Sequence, residues 1–292
     1  MRKEIIMNLK EKLQHKDFII TGEITPPKGT DLTEIYQIAE ELTGTVDAIN
    51  VCDSPMAKMK MSSIMAAHLI EDKTGMETIP HITCRDKNII ALQGDLLGAS
   101  KLGIKNILAI TGDDPTAGDH PEASPVFDTN SIGIIKIVQK LNQGYDHNDN
   151  QLSGTTDLTV ATAANLGADD LDEEISRLET KVASGADFIQ TQPAYDLATM
   201  NNFLAKTDHL DVPILIGILP LTSFKMANYL DSNVPGIKIP DNIISRMEGQ
   251  GTVEGVKIAQ EFLAQAHSRI DGIHIMSAKR SDVLLHILEG IR

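Results

Sequence analysis

The sequence predicts an α/β protein built as a (β/α)8 TIM barrel, with a single domain over residues 1–292. Short apolar runs recur along the chain, each about as long as a buried strand. Amphipathic segments separate them, and this alternation is typical of parallel strands joined by helical crossovers. Eight such runs in about 250–300 residues favour a closed barrel. An open, doubly wound sheet remains the alternative, because the pattern alone does not show closure.

The predicted strands are distributed along the whole chain. In order, they are residues 18–20, 46–51, 78–82, 106–110, 158–161, 187–190, 212–216 and 272–275. Helices are predicted between them, where apolar residues recur at helical spacing. Thr30-Asp31, Asp86 and Asp170 are predicted to open three of these helices, because their side chains can cap exposed backbone N–H groups. The predicted helices are residues 31–43, 60–74, 86–102, 170–184, 252–267 and 280–290.

Two polar insertions interrupt the alternation. Residues 112–130 follow the fourth predicted strand, and residues 143–156 precede the fifth. In a (β/α)8 barrel the first insertion lies on the C-terminal face, where active sites are built, and the second lies on the opposite rim. The first is therefore interpreted as functional and the second as a solvated loop.

Composition narrows the possible functions. Lys and Arg total 26 against 41 Asp and Glu, a net charge of −15, which argues against binding nucleic acid or an anionic membrane. The two cysteines, Cys52 and Cys84, form neither a disulfide framework nor a zinc motif, and they indicate a reducing compartment. The sequence contains no signal peptide and no apolar run of about 18 residues. These features predict a cytoplasmic protein without a bound metal.

Polar side chains stand at several predicted strand ends. Glu23 ends the first strand before the rigid Pro26-Pro27 turn, and burial there is expected to raise its pKa toward the general-acid range. Asp113 follows Gly112 directly after the fourth strand, where a carboxylate can accept N–H bonds from a heterocycle. His81 and Gln192 end the third and sixth strands, so all these side chains are expected to converge in one pocket.

With these motifs in order, the chain resembles the methylenetetrahydrofolate reductase family over nearly its whole length. The resemblance is carried by Glu23 with Pro26-Pro27, Pro80-His81-Ile82-Thr83-Cys84, Thr111-Gly112-Asp113, Thr191-Gln192-Pro193 with Asp196, and Gly217-Ile218-Leu219-Pro220 with Phe224-Lys225. It implies a barrel enzyme that binds FAD without a covalent bond. It also implies reduction of 5,10-methylenetetrahydrofolate to 5-methyltetrahydrofolate with NAD(P)H, by ping-pong hydride transfer through the flavin, and a homo-oligomer.

The resemblance also implies roles for individual residues. Glu23 corresponds to the catalytic acid, and Asp113 to the acid that binds the pterin and adjusts the flavin. Gln192, Phe224 and Arg280 correspond to residues that bind the folate. The FAD-binding positions are His81, Thr111, Gly112, Asp113, Phe127, Asn165, Arg177 and Lys181. Thr111 stands where some members have Arg, which leaves the flavin phosphates more dependent on Lys181.

Two other functions remain open from the sequence. One is a folate-binding barrel of the methyltransferase type, which uses no redox cofactor. The other is a non-catalytic subunit that binds flavin or folate within a complex. Preference for NADH or NADPH is not predicted, because no fingerprint residue for the ribose is present.

Overall fold

Eight parallel strands, one at each predicted position, close into a barrel in the computed structural model, which describes residues 7–234, 236–277 and 280–289. The first and last strands pair in parallel, with Ile19 opposite Gly272, and this pairing closes the ring. The (β/α)8 fold class is therefore confirmed. The strands are β1 (Ile19–Ile24), β2 (Ala48–Val51), β3 (Thr78–Thr83), β4 (Asn106–Ile110), β5 (Thr159–Ala164), β6 (Phe188–Pro193), β7 (Ile214–Ile218) and β8 (Gly272–Ile275).

Helices surround the barrel and include all six that the sequence predicts. The helices of the described ranges are α1 (Leu9–His15), α2 (Thr33–Leu42), α3 (Ser63–Thr74), α4 (Ile89–Lys101), α5 (Ser131–Gln143), α6 (Leu171–Ala183), α7 (Leu197–Thr207), α8 (Phe224–Asn233), α9 (Asp241–Arg246), α10 (Thr252–Ala266) and α11 (Ser281–Glu289). The sequence interpretation did not assign α1, α5, α7, α8 or α9. None of the helices in these ranges combines the length and apolar character needed to cross a bilayer.

The predicted helix starts are confirmed in two cases and wrong in one. Asp170 caps α6, because its Oδ1 accepts a hydrogen bond of 2.9 Å from the Glu173 amide. Asp86 does not cap α4: its carboxylate binds Arg85, and Asn88 accepts from the Ala91 amide instead. Asp31 also caps a helix start: α2 begins at Thr33, and Oδ1 of Asp31 accepts from the Thr33 amide at 3.0 Å.

The barrel interior is apolar at its N-terminal end. Leu9 and Leu13 of α1 close this end from below and pack on inward-facing strand residues. We call this cluster the lower layer; its strand members are Ile19, Ala48, Ile79, Leu108, Ala161, Phe188 and Leu215. A larger apolar core fills the space between the outer faces of the strands and the helices. These two cores leave the C-terminal end of the barrel for polar groups.

The two polar insertions lie at opposite ends of the barrel. The segment 112–130 follows the C-terminal end of β4 and contains a short helical turn at Pro115–Ala117. Its backbone is tied to the end of β3, because the Val126 and Phe127 amides donate to the carbonyl oxygens of Arg85 and Cys84. The segment 143–156 links α5 to the N-terminal end of β5, as expected for the opposite rim.

Candidate active site

A network of buried polar side chains fills the barrel above the lower layer. We call it the upper layer; its members are Thr21, Asn50, His81, Gln190 and His274, and each is at most 8% exposed. Asn50 and Gln190 exchange two amide hydrogen bonds of 2.8 and 3.1 Å. Asn50 also contacts His81, and Gln190 contacts Thr21, so one network links β1, β2, β3 and β6 across the barrel interior. Four of these residues, Thr21, Asn50, Gln190 and His274, were not singled out from the sequence.

Glu23 lies at the top of this network, beside His274. Its Oε2 is 3.5 Å from Nε2 of His274, whose Nδ1 is 2.9 Å from the Thr21 hydroxyl oxygen. Burial raises the pKa of Glu23, but the hydrogen bond and charge of His274, with smaller contributions from His81 and Cys52, outweigh burial. The pKa of Glu23 is therefore below its usual value. The expectation of a raised pKa is wrong, because nothing in the local sequence indicates that His274 is the neighbour of Glu23.

His81 is held neutral at physiological pH. Burial lowers its pKa from 6.5 to about 4, although the charges of Glu23 and Asp53 act in the opposite direction. A neutral imidazole has one N–H donor and one acceptor nitrogen. His81 therefore contributes hydrogen bonds rather than a positive charge.

Four of the predicted site residues line one cavity at the C-terminal end of the barrel. The cavity has a volume of about 300 Å³, and its lining residues are Asp53, Pro55, His81, Thr83, Arg85, Ile110, Gly112, Asp113 and Gln192. A volume at the lower end of the range for small-molecule pockets suits a ring system better than a complete dinucleotide. The convergence of His81, Gly112, Asp113 and Gln192 agrees with their strand-end positions, whereas Glu23, expected in the same pocket, does not line this cavity.

Gly112 brings the backbone of the 112–130 segment against β3. Its φ of +95° lies in the region that favours glycine, and a Cβ there would be only 3.0 Å from Cβ of Thr83. Asp113 follows directly and is exposed, and its Oδ2 accepts a 2.8 Å hydrogen bond from the Met56 amide. The turn therefore holds one oxygen of the Asp113 carboxylate in place.

Asp53 and Arg85 are charged cavity residues that the sequence interpretation missed. Asp53 accepts from the backbone amide and hydroxyl of Thr83, at 3.2 and 2.8 Å. Arg85 is 3% exposed, and its guanidinium binds Asp86 through two nitrogens and the Ser54 carbonyl oxygen through a third. The Asp86 carboxylate raises the pKa of Arg85 further. The signal available was the run Cys84-Arg85-Asp86 directly after a strand end.

The loop after β2 carries backbone strain beside this cavity. Ser54, Met56 and Ala57 all have positive φ values, of 46°, 56° and 53°. Non-glycine residues in this region persist only where the surrounding structure holds them, and they concentrate at functional sites. Asp113 holds the Met56 amide, and the Asp119 carboxylate holds the Met59 amide at 2.9 Å, so the 112–130 segment supplies both restraints.

The remaining flavin positions implied by the resemblance lie outside the cavity lining. Thr111 is exposed, and Phe127 is half-buried against the outer core. Asn165 follows β5, where its Oδ1 accepts from the Gly167 amide at 3.1 Å. Arg177 and Lys181 lie on α6: Arg177 pairs with Glu173, and the Lys181 ammonium donates to the Ala163 carbonyl oxygen at 2.6 Å. Lys181 is 6% exposed, and burial lowers its pKa.

The two outermost folate positions lie on helix starts. Phe224 is the first residue of α8 and is 40% exposed, so its ring is free to stack on a ligand. Arg280 precedes α11 and forms a two-pronged ion pair with Asp282, with both distances 2.8 Å. Neither residue lines the cavity.

The cavity chemistry fits a flat, nitrogen-containing ring. Asp53 and Asp113 offer carboxylate acceptors for ring N–H groups, and Gly112 lets such a ring approach the backbone closely. Phosphate groups fit less well, because the single lining cation, Arg85, is already neutralised by Asp86. Within the described ranges, no group of three or more His, Cys, Asp or Glu side chains is arranged to hold a metal ion.

Comparisons with known proteins point to one family. The family model described as methylenetetrahydrofolate reductase matches residues 8–292. Methylenetetrahydrofolate reductase 1 of Schizosaccharomyces pombe is 26% identical over 304 residues, which cover 98% of this chain and 48% of the relative. The 5,10-methylenetetrahydrofolate reductase of Escherichia coli is 26% identical over 184 residues, covering 62% of this chain and 56% of the relative. The chain thus matches about half the length of these curated relatives.

Solved structures share the barrel at low sequence identity. An uncharacterized protein from Clostridium thermocellum, which binds two copies of 5-methyl-5,6,7,8-tetrahydrofolic acid, superposes with a TM-score of 0.64. It is 18% identical, and the match covers 97% of each chain. EDTA monooxygenase from Chelativorans gives a TM-score of 0.59 at 13% identity, covering 93% of this chain and 92% of the other. These likenesses establish the fold alone.

Proposed function

The chain belongs to the methylenetetrahydrofolate reductase family, and from that premise we propose that it reduces 5,10-methylenetetrahydrofolate to 5-methyltetrahydrofolate. NAD(P)H is the proposed electron donor and FAD the proposed carrier, which would accept a hydride from NAD(P)H and then pass it to the folate. The Clostridium thermocellum neighbour supports the substrate class, because the same fold there holds the compound that we propose as product. We also propose that the protein acts as a homo-oligomer.

The observation that carries the proposal is the buried pair of Glu23 and His274 next to the cavity. Opening the five-membered ring of the substrate requires a proton on a ring nitrogen, and a positioned side chain supplies it most efficiently. Glu23 alone favours its ionised form, because the hydrogen bond and charge of His274 and the smaller contributions of His81 and Cys52 together outweigh the effect of burial on its pKa. We therefore assign the proton to the pair, in which Glu23 Oε2 and His274 Nε2 face each other at 3.5 Å.

The cavity residues would orient the ring that reacts. Asp113 has one carboxylate oxygen that the Met56 amide does not occupy, and this oxygen can accept from a pterin N–H group. The exposed amide of Gln192 can donate to or accept from the same edge. Phe224 at the start of α8 would stack on the aminobenzoate or on the adenine of the donor.

The proposed flavin residues divide by their chemistry. His81, Gly112 and Asp113 line the cavity, where they fit the edge of a ring system. Thr111, Phe127, Asn165, Arg177 and Lys181 are the proposed contacts for the rest of the cofactor. Lys181 would have to exchange the Ala163 carbonyl oxygen for a phosphate, at the cost of one short hydrogen bond.

The experiment is an anaerobic titration of the purified protein followed by visible absorbance. A flavin spectrum, bleaching by NADH or NADPH, and reoxidation by methylenetetrahydrofolate are the expected results. A colourless protein that binds folate and does not take up added FAD would favour the methyltransferase type. Flavin that bleaches but does not reoxidise with the folate would favour a non-catalytic subunit.

A further inference from the structure

The reciprocal amide pair of Asn50 and Gln190 crosses the barrel interior. Asn50 is on β2 and Gln190 is on β6, which are four strands apart in the closed ring. The two side chains are 0% and 2% exposed and exchange bonds of 2.8 and 3.1 Å. Neither residue lines the cavity. Whatever the pair contributes to the site must therefore act through its neighbours.

On one side, the pair determines which nitrogen of His81 carries the proton. The Asn50 amide nitrogen has two protons, and one is donated to Oε1 of Gln190. The other points at Nε2 of His81, 3.1 Å away. Because an amide nitrogen donates and does not accept, Nε2 must be the acceptor. A neutral His81 then carries its proton on Nδ1.

On the other side, the pair determines the state of His274 through Thr21. The Gln190 amide nitrogen donates to Oδ1 of Asn50 and to the Thr21 hydroxyl oxygen, at 3.1 and 3.2 Å. The Thr21 hydroxyl therefore keeps its single proton for Nδ1 of His274, 2.9 Å away. Nδ1 accepts this proton, so a neutral His274 carries its own proton on Nε2, which faces Glu23.

The opposite orientation of the two amides would place an unprotonated His274 nitrogen against the Glu23 carboxylate. If both amides were turned over, the Gln190 oxygen would face Thr21 and would take the single proton of its hydroxyl. Nδ1 of His274 would then have to donate to the Thr21 oxygen, so a neutral His274 would have no proton on Nε2. Nε2 faces Oε2 of the ionised Glu23 at 3.5 Å, and two acceptors would oppose each other there. The first orientation places an N–H group at this contact, so the Glu23 carboxylate selects it.

We propose that Asn50 and Gln190 are positioning residues that assign opposite tautomers to the two histidines, with His81 protonated at Nδ1 and His274 at Nε2. Nδ1 of His81 has no hydrogen-bond partner among the described residues, so it offers a donor where His81 lines the cavity. The ligand that fits presents an acceptor atom there, such as a ring carbonyl, and N–H groups toward Asp53 and Asp113.

This assignment concerns the ligand-free protein and does not depend on the proposed reductase activity. The experiment is long-range ¹H–¹⁵N correlation NMR of the histidine side chains in uniformly labelled protein near neutral pH. In the wild type, we expect His81 to show a protonated Nδ1 and His274 a protonated Nε2. A His81 protonated at Nε2, or a His274 protonated at Nδ1, would overturn the proposal without any variant.

Two variants of nearly unchanged shape separate positioning from simple packing. In Asn50→Asp, a carboxylate replaces the donor next to His81, so the His81 proton should move to Nε2. In Gln190→Glu, the carboxylate accepts the hydrogen bond of the Thr21 hydroxyl. The proton of a neutral His274 should then move from Nε2 to Nδ1, where it can be donated to the Thr21 oxygen. Each tautomer ratio should change by at least about tenfold, the factor for one hydrogen bond.

The control is Asn88→Asp, the same chemical change at the exposed cap of α4. There the carboxylate still accepts from the Ala91 amide, and both histidine tautomers should match the wild type. An unchanged His81 tautomer in Asn50→Asp would show that the amide pair does not determine it. If a variant does not fold, the wild-type spectrum decides the question.

Discussion

The lower and upper layers of the barrel share four strands, β1, β2, β3 and β6, but differ in what holds them together. On β6, Phe188 belongs to the lower layer and Gln190, two residues later, to the upper. On β3, Ile79 and His81 differ in the same way. Because side chains alternate along a strand, residues two apart point to the same face. A step of two residues toward the C-terminal end therefore exchanges apolar packing for a hydrogen-bond network.

The difference shows that apolar packing in the lower layer stabilises the barrel, whereas hydrogen bonds in the upper layer position the polar groups of the candidate site. Apolar packing in the lower layer has no preferred direction, so its contribution to stability is proportional to the apolar area that it removes from water. The upper layer stays buried because its polar atoms are paired, apart from Nδ1 of His81, a residue that lines the cavity. Among the described residues, the only buried side-chain atoms without a partner are Asn106 Oδ1 and Thr162 Oγ1, and neither belongs to the upper layer. A completed network of this kind can hold a titratable pair such as Glu23 and His274 in fixed geometry.

The largest expected effect is that of Glu23→Gln on catalysis. Glutamine keeps the size of the side chain but cannot hold the transferred proton. Reduction of the flavin by NADH should survive, while oxidation by methylenetetrahydrofolate should fall by about 10²–10⁴, the usual range for general acid catalysis. Stopped-flow absorbance of the two half-reactions measures both rates.

The matched control for Glu23→Gln is Asp187→Asn, an acid-to-amide change at the opposite end of the barrel. Asp187 accepts a hydrogen bond from the Val160 amide. The Asp187→Asn substitution should leave the rates of both half-reactions unchanged. Reoxidation of the Glu23 variant at a rate near that of the wild type would exclude Glu23 as the acid. The upper layer would then have no demonstrated role in catalysis.

Phe188→Ala tests the lower layer. Phe188 is fully buried, so its removal should lower the free energy of unfolding by about 3–5 kcal/mol. Gln192→Ala, on the same face of the same strand but exposed, should change it by no more than about 0.5 kcal/mol. Urea denaturation measures both values. Equal losses in the two variants would mean that the layers do not differ as described.

The pH dependence of stability tests the upper layer through His81. Burial lowers the pKa of His81 from 6.5 to about 4, so the folded state favours the neutral ring. This contribution is fully present above pH 6.5 and is lost as the pH falls from 6.5 toward 4, a loss on the order of 3 kcal/mol. Urea denaturation at several pH values should give a shallower slope over this range in His81→Gln. Identical slopes would contradict a buried, neutral His81.

The smallest expected effect is that of Asp113→Asn, at the rim of the upper layer. Asparagine retains an oxygen that can accept from the Met56 amide, so the fold should be unchanged. Loss of a charged acceptor for the pterin should slow the folate half-reaction about tenfold or somewhat more. Oxidation of NADH by an artificial acceptor should change less. Equal losses in both assays would identify Asp113 as a residue that only shapes the turn.

Strand-end residues were predictable, whereas those within strands were not. Glu23, Asp113 and Gln192 each follow a predicted strand and His81 lies near the end of one, and the fold class alone directs such residues to one end of the barrel. Asn50 and His274 lie inside short runs, where a polar residue is equally compatible with a solvated strand face. Closure of the barrel turns these positions inward, and only their partners across the interior explain why they are polar.

The sequence by itself determined the alternation of strands and helices and the end of the strands at which the site lies, and it favoured a closed barrel over an open sheet without showing closure. Only the tertiary structure decided the electrostatics of that site. Glu23 belongs to the first strand and His274 to the last, and they meet because β1 pairs with β8. Burial and a neighbouring imidazole shift the pKa of a carboxyl in opposite directions. Local sequence predicts the burial of Glu23. Closure of the barrel brings His274 next to it and so determines the direction in which the pKa of Glu23 shifts.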